Sequence, residues 1–326
     1  MTLHLSYHEA RSRALFRELD ANPDVFLLGG AVSLPFNPDD GLADRYGDRI
    51  VWPPISEFAT AGIGVGAAMA GLRPLVAVST ASFMFYGWAP VVAEAPNVRY
   101  LTGGRATAPV AFHVMAGSRR GGGAQHEHTP QAMLQNVPGL RILAPGTSAD
   151  VDAAFHLALT GADPTVIVDH VLLAPFEGAV EDTPSRLATT LIRDGRDALI
   201  VSYSLMLQRS LAAAASLETE GIEVAVLDVP SLHPLPLEEV LEAVARHGRV
   251  VFVDESRGPG SPASYMMARV LEDGLHCRAA LVCSAEAPAP YAPHLLDEVV
   301  PTEDRIARAV RGLLRRSWAP GSRAGL

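Results

Sequence analysis

Short apolar runs and stretches of helical spacing alternate along the chain. Ser6-Tyr7-His8-Glu9 has the spacing of a capping box, and Ala10, Ala14, Phe16 and Leu19 follow at helical intervals. Val25–Leu28 is an apolar run closed by Gly29-Gly30, which suits a buried parallel strand. Residues 31–54, rich in Pro, Gly and Asp, predict a long loop. Phe58 to Gly71 predicts a helix built largely of Ala and Gly, able to lie very close to a neighbour. Strands are expected at Leu75–Val78, Val110–Val114, Arg141–Leu143 and Thr165–Val168. Between them fall the loop Gly117–Thr129, a helix opened by the N-cap/N1 pair Thr129-Pro130, and a helix over Ser148–Leu159.

Periodicity fades over residues 176–190, and the stretch predicts a linker. Beyond it the alternation restarts. Strands at Ala198–Ser202, Glu223–Leu227, Val250–Val253 and Ala280–Val282 are separated by helices over 205–220 and 237–246 and by one opened by Ser261-Pro262. A last helix is expected from Thr302 to Arg315. The whole predicts an α/β chain of two doubly wound, mainly parallel-sheet domains, 1–175 and 191–326.

Composition removes several chemistries. All 26 basic residues are Arg, and no Lys occurs. That excludes a Schiff-base lysine and a complete Walker A loop. The net charge is −10 and the arginines are scattered, so no basic stripe awaits a nucleic acid. Cys277 and Cys283 form neither a CxxC pair nor a disulfide framework. No secretion signal and no apolar run of about 18 residues is present, so a cytoplasmic protein without a membrane partner is expected.

Five features could carry chemistry, each with a plainer reading beside it. Gly62-Ile-Gly64-Val-Gly66-Ala67 fits G-x-G-x-x-A, yet no strand precedes it and no acid ends the next strand. Close helix packing is the better reading. His126 and His128 flank Glu127 in a glycine-rich loop; H-x-H suits zinc, but no third ligand is evident and no metal site is expected. A histidine there suits proton transfer near neutral pH, or is merely solvated. Glu57 at the mouth of the Ala/Gly helix is either a first-turn carboxylate or one aimed at a ligand. Phe83, Phe85, Tyr86 and Trp88 could stack on a planar ring, although their spacing favours core. Asp254-Glu255 ends a strand and stays open between function and capping.

A larger pattern lies in the order of segments. Pro54-Ile-Ser-Glu57 precedes Gly62 to Gly71-Leu-Arg-Pro74. Tyr100-Leu-Thr-Gly103-Gly104, Ala108-Pro109-Val110, Gln125-His126, Val137-Pro-Gly-Leu140, Ala144-Pro145 and Pro288-Ala-Pro290 follow. Together, from Tyr7 to about Leu314, they resemble the β subunit of the thiamine-diphosphate-dependent E1 component of 2-oxo acid dehydrogenases, such as the pyruvate, branched-chain and acetoin enzymes.

The resemblance implies a transketolase-like pyrimidine-binding domain followed by a transketolase C-terminal-like domain. It implies 2-oxo acid decarboxylation and transfer of the acyl unit by thiamine diphosphate. Glu57 would hydrogen-bond N1′ of the cofactor's aminopyrimidine, Phe83 and Ile55 would line that ring's pocket, and His126 would handle a proton or steer acyl transfer. The diphosphate and Mg²⁺ would be held by an α-type subunit with a G-D-G…N motif. This chain has no Gly-Asp-Gly, so an α2β2 assembly is implied, with a lipoyl acyltransferase as acceptor. The family sometimes shows a monovalent cation, here near Ala149-Asp150 and Asp163. The chain departs from the family at Ala31, at Ala89, at His113 (where an arginine is common) and at Glu127, which sets a charge beside His126. These departures keep open half of a split transketolase-like or acyloin-forming carboligase, which His128-Thr-Pro-Gln131 faintly resembles. A non-catalytic structural partner is the third reading.

Overall fold

The computed structural model describes residues 2–29, 41–119 and 121–315. The N-terminal half runs β1 (Thr2–Ser6), α1 (Tyr7–Ala21), β2 (Val25–Leu28), α2 (Leu42–Tyr46), β3 (Ile50–Val51), α3 (Glu57–Met69) and β4 (Arg73–Thr80). Irregular turns over 81–97 lead to α4 (Val98–Leu101), β5 (Ala111–Ala116), α5 (Gly123–His126), α6 (Gln131–Leu134), β6 (Arg141–Leu143), α7 (Ser148–Thr160) and β7 (Thr165–His170). Six of these strands form a parallel sheet in the order β6-β7-β5-β4-β2-β3. Its two faces are both apolar, which is why the strands read as unbroken hydrophobic runs. Leu75 and Ala77 of β4 pack with Leu15, Leu19 and Phe155; Val76 and Val78 pack with Ala61, Val65 and Met84.

The C-terminal half begins with β8 (Glu177–Glu181), β9 (Thr190–Arg193), β10 (Ala198–Ser202), α8 (Ser204–Glu218), β11 (Val224–Asp228) and β12 (Ser231–His233). It continues through α9 (Leu237–His247), β13 (Arg249–Arg257), α10 (Pro262–Glu272), β14 (Arg278–Ser284), α11 (Pro293–Val299) and α12 (Glu303–Arg315). The second sheet has the order β14-β13-β10-β11-β9, parallel except for β9. The fold is thus two α/β domains with mostly parallel sheets. They are stitched together: β12 leaves the second half and pairs antiparallel with β6 at the edge of the first sheet.

Three expectations change. The part of the 31–54 loop that is described holds α2 and β3, elements of five and two residues that give no readable period. The stretch expected as a linker contains β8, paired antiparallel with β1 in an edge ribbon. Thr129-Pro130 is displaced by one residue: Pro130 is the N-cap of the four-residue α6, with no side-chain cap. The Ser6 capping box on α1 and the Ser261 cap with Pro262 at N1 of α10 are as read. Ala31 lies outside the described residues. Among the described residues no helix is long and apolar enough to cross a membrane.

Candidate functional site

Ser56 caps α3, its Oγ accepting the Ala59 N–H at 3.3 Å, and so makes Glu57 the first helical residue. Glu57 is half-buried. It lines a cavity of about 240 Å³ with Pro54, Ile55, Thr60 and Phe83. The remaining wall is the carboxyl end of two parallel strands: Gly29 just past β2, and Val76 to Ser79 on β4. Open α/β sheets bind ligands at that end.

The small residues of α3 serve close approach, as the packing reading holds. A Cβ on Gly64 would collide with Val76 Cγ2 on β4. Gly87 backs onto the helix start in the same way, since a Cβ there would press on the Glu57 carbonyl oxygen. The aromatic segment is therefore clamped against α3. It is only partly core: Met84 is buried, Phe83 and Trp88 are half-buried, and Tyr86 is 67 % exposed. The tight turns over Ala81–Gly87 break strand and helix spacing alike, so Phe83 is delivered to the cavity instead.

His126 ends α5, and its ring meets the Phe83 ring edge-on with centroids 5.5 Å apart. Its Nδ1 lies 3.2 Å from the Gly122 carbonyl oxygen. The carbonyl can only accept, so Nδ1 donates, and in the neutral ring Nε2 is the acceptor. His128 turns to another ring, Phe85, also edge-on at 5.5 Å. Burial lowers its pKa, and the charge of Arg257 acts in the same direction. The H-x-H pair thus splits between two aromatic partners.

Glu127 overturns one expectation: it sets no free charge beside His126. It is buried at 4 % exposure, and its Oε1 accepts from the N–H groups of Arg119, Gly121 and Gly122 at 3.0, 3.2 and 2.8 Å. The carboxylate is turned into the loop and ties it together.

His113 lies in a buried network around Asp169. Asp169 accepts from Tyr7 Oη at 2.7 Å, Arg11 Nη1 at 2.8 Å and His113 Nε2 at 2.9 Å. Burial alone would raise the Asp169 pKa, but Arg11 and His113 hold it far below the usual range. Burial lowers that of His113. Ala89 is exposed on the turn after Trp88. Asp150 and Asp163 lie beside opposite ends of α7, a helix of 13 residues that spans roughly 18 Å, so one ion cannot meet both. Arg99 occupies Asp163 at 2.8 Å, and Asp150 belongs to the Thr147 capping box.

Glu57, Ile55 and Phe83 thus share one cavity, and His126 adjoins it through Phe83. Sequence reading missed Thr60 and Ser79, which have no distinctive pattern. It also missed His170 and Tyr291, whose roles depend on contacts between domains.

The fold and this cavity define a transketolase-like pyrimidine-binding half joined to its C-terminal companion. Comparison with known proteins agrees. Residues 4–175 match the model for the transketolase pyrimidine binding domain, and residues 188–306 that for the transketolase C-terminal domain. The chain is 32 % identical to the acetoin:2,6-dichlorophenolindophenol oxidoreductase subunit beta of Cupriavidus necator, over 97 % of this chain and 99 % of that one. It is 31 % identical to the pyruvate dehydrogenase E1 component subunit beta of Rhizobium meliloti, over 95 % of this chain and 70 % of that one. A solved structure titled split gene transketolase, inactive beta4 tetramer, superposes with a TM-score of 0.77 at 22 % identity, covering 95 % of this chain and 98 % of that one. That likeness speaks for the fold. The chain belongs to the thiamine-diphosphate-dependent transketolase-like family, among the E1 β subunits of 2-oxo acid dehydrogenases.

Proposed function

We propose that the chain is the pyrimidine-binding half of a thiamine-diphosphate enzyme that decarboxylates a 2-oxo acid and passes on the acyl unit. The carrying observation is Glu57 in a small, largely apolar cavity beside Phe83, with Ile55 on its lip 91 % exposed. The residues fit a flat heteroaromatic ring. Phe83 offers a stacking face, Ile55 and Val78 offer apolar contact, and the Glu57 carboxyl offers a hydrogen-bond partner to a ring nitrogen.

When bound, thiamine diphosphate supplies a nucleophilic carbon that can also act as an electron sink. This chain's share is to bind the pyrimidine, to hold or release a proton at the Glu57 carboxyl, and to move one at His126 Nε2. Gly29 and Val76 to Ser79 wall the cavity on the strand side. Exposed Trp52, Phe58, Ile63 and Met69 surround the start of α3 and its outer face, an apolar surface fit for another subunit. Among the described residues no three His, Cys, Asp or Glu gather as a metal site. This chain has no Gly-Asp-Gly, and in this reading an α-type subunit holds the diphosphate and Mg²⁺, most simply in an α2β2 assembly, with a lipoyl acyltransferase as the natural acceptor.

The test is reconstitution. With thiamine diphosphate, Mg²⁺ and a panel of 2-oxo acids, CO2 release is expected only when this chain and its α-type subunit are combined. Release by this chain alone would overturn the half-site reading. Turnover that requires an aldehyde acceptor, with none to lipoamide, would replace the dehydrogenase reading with a carboligase.

A further inference from the structure

The loop that carries His126 belongs to the N-terminal domain, but two residues of the C-terminal domain grip it. The first is Glu255 on β13, buried at 7 % exposure. Its Oε1 accepts the Ser118 N–H at 2.7 Å, and its Oε2 lies 3.0 Å from His170 Nε2. His170 Nδ1 accepts the Leu172 N–H, so the ring's proton sits on Nε2, which is at ion-pair distance from Glu255 without an aligned hydrogen bond to it. Burial opposes a charge on Glu255, yet His170, the Ser118 N–H and Arg209 outweigh it and hold the carboxyl below its usual range. The fit is tight: a Cβ on Gly117 would collide with both His170 Nε2 and Glu255 Oε2.

The second grip is Tyr291, just beyond Pro288-Ala-Pro290. Its ring lies where a Cβ on Gly123 would stand, at the start of α5. Between these points the loop is tied to itself. Gly117 N–H donates to the His128 carbonyl at 2.9 Å, and Glu127 gathers three loop N–H groups. A movement of either grip is therefore carried to the imidazole as a displacement of the loop.

We propose that Glu255 is a positioning residue for His126: from the C-terminal domain it fixes the loop that sets the imidazole against Phe83, with Tyr291 as the second support. The proposal rests on the reading of His126 given above. Glutamine cannot substitute. Its amide N–H would face one of two donors, Ser118 N–H or His170 Nε2–H, and the histidine cannot change tautomer without losing Leu172.

The experiment uses the assembled enzyme with its α-type subunit and reads two quantities for Glu255→Gln and Tyr291→Ala. Amide exchange over 117–129 is expected to quicken in both. The kcat is expected to fall on the order of ten- to a hundredfold in Glu255→Gln, with KM and cofactor affinity nearly unchanged. Wild-type exchange and wild-type kcat in both variants would overturn the proposal. If Glu255→Gln does not assemble, Tyr291→Ala decides by its exchange, because that side chain is 66 % exposed and its loss spares the core. His126→Asn with undiminished kcat would sink the catalytic reading of His126, while the exchange result would still decide the clamp.

Discussion

Gly64 shows how narrowly single residues are set in this site. It stands where α3 presses on β4, and the atom that an added Cβ would strike is a methyl of Val76, a β-branched side chain with little rotamer freedom. Two effects oppose each other in Gly64→Ala. Alanine favours the helix by about 0.5–1 kcal/mol. Overpacking a filled interface costs about 1–3 kcal/mol. Packing wins, so a net loss of about 1 kcal/mol is expected in denaturant unfolding, and a stabilised variant would refute the close-packing reading. Glu57 sits at the head of this helix, so its placement depends on the same contact. Glu127 and His113 teach the reverse. Both were expected to alter the candidate site, yet both carry structure: one ties a loop, the other completes a buried network.

At the scale of elements, α1 is the best-read part of the chain. Ser6 Oγ accepts the Glu9 N–H at 3.2 Å, and Glu9 accepts the Ser6 N–H in return at 2.8 Å. The Ser6 hydroxyl also donates to the Glu9 carboxylate at 2.7 Å, and this bond foremost, with that from the Ser6 N–H, lowers the Glu9 pKa. Ser6→Ala should cost about 1 kcal/mol of stability, read from the thermal midpoint; an unchanged midpoint would mean that tertiary contacts alone hold the helix start. Parallel strands buried on both faces were legible as apolar runs, and long helices by their period and caps. What escaped was short or non-local. The β1–β8 ribbon, β3 and β12 have two to five residues each and no apolar run, and they exist because a distant strand edge receives them. The site divides likewise. Glu57 and His126 stand out through local context and resemblance, whereas Thr60, Ser79, His170 and Tyr291 gain meaning only from the folded chain.

The two domains also meet through charge. Asp228 at the end of β11 is buried, and the Asp150 carboxyl at the head of α7 is close enough to act on it electrostatically. Burial and the Asp150 carboxyl together push Asp228 well above the usual carboxylate range. An acid raised in the folded state binds its proton more tightly there than when unfolded. Its contribution is full below about pH 4 and is lost as pH rises through the folded value. Asp228→Asn removes the titrating group and with it that loss. Its thermal midpoint should exceed wild type by a margin that grows from pH 4 to pH 8, and a margin constant with pH would contradict a raised Asp228 carboxyl. Beyond the seam, the cavity at the head of α3 opens beside apolar surface, and the chain supplies one carboxylate, one histidine and one stacking face. The most direct test is therefore Glu57→Gln in the reconstituted pair, followed by thiamine-diphosphate-dependent CO2 release from a 2-oxo acid. A fall on the order of a hundredfold or more, with assembly intact, is the expected result. Turnover equal to wild type would contradict the assignment of this cavity as the cofactor's pyrimidine site.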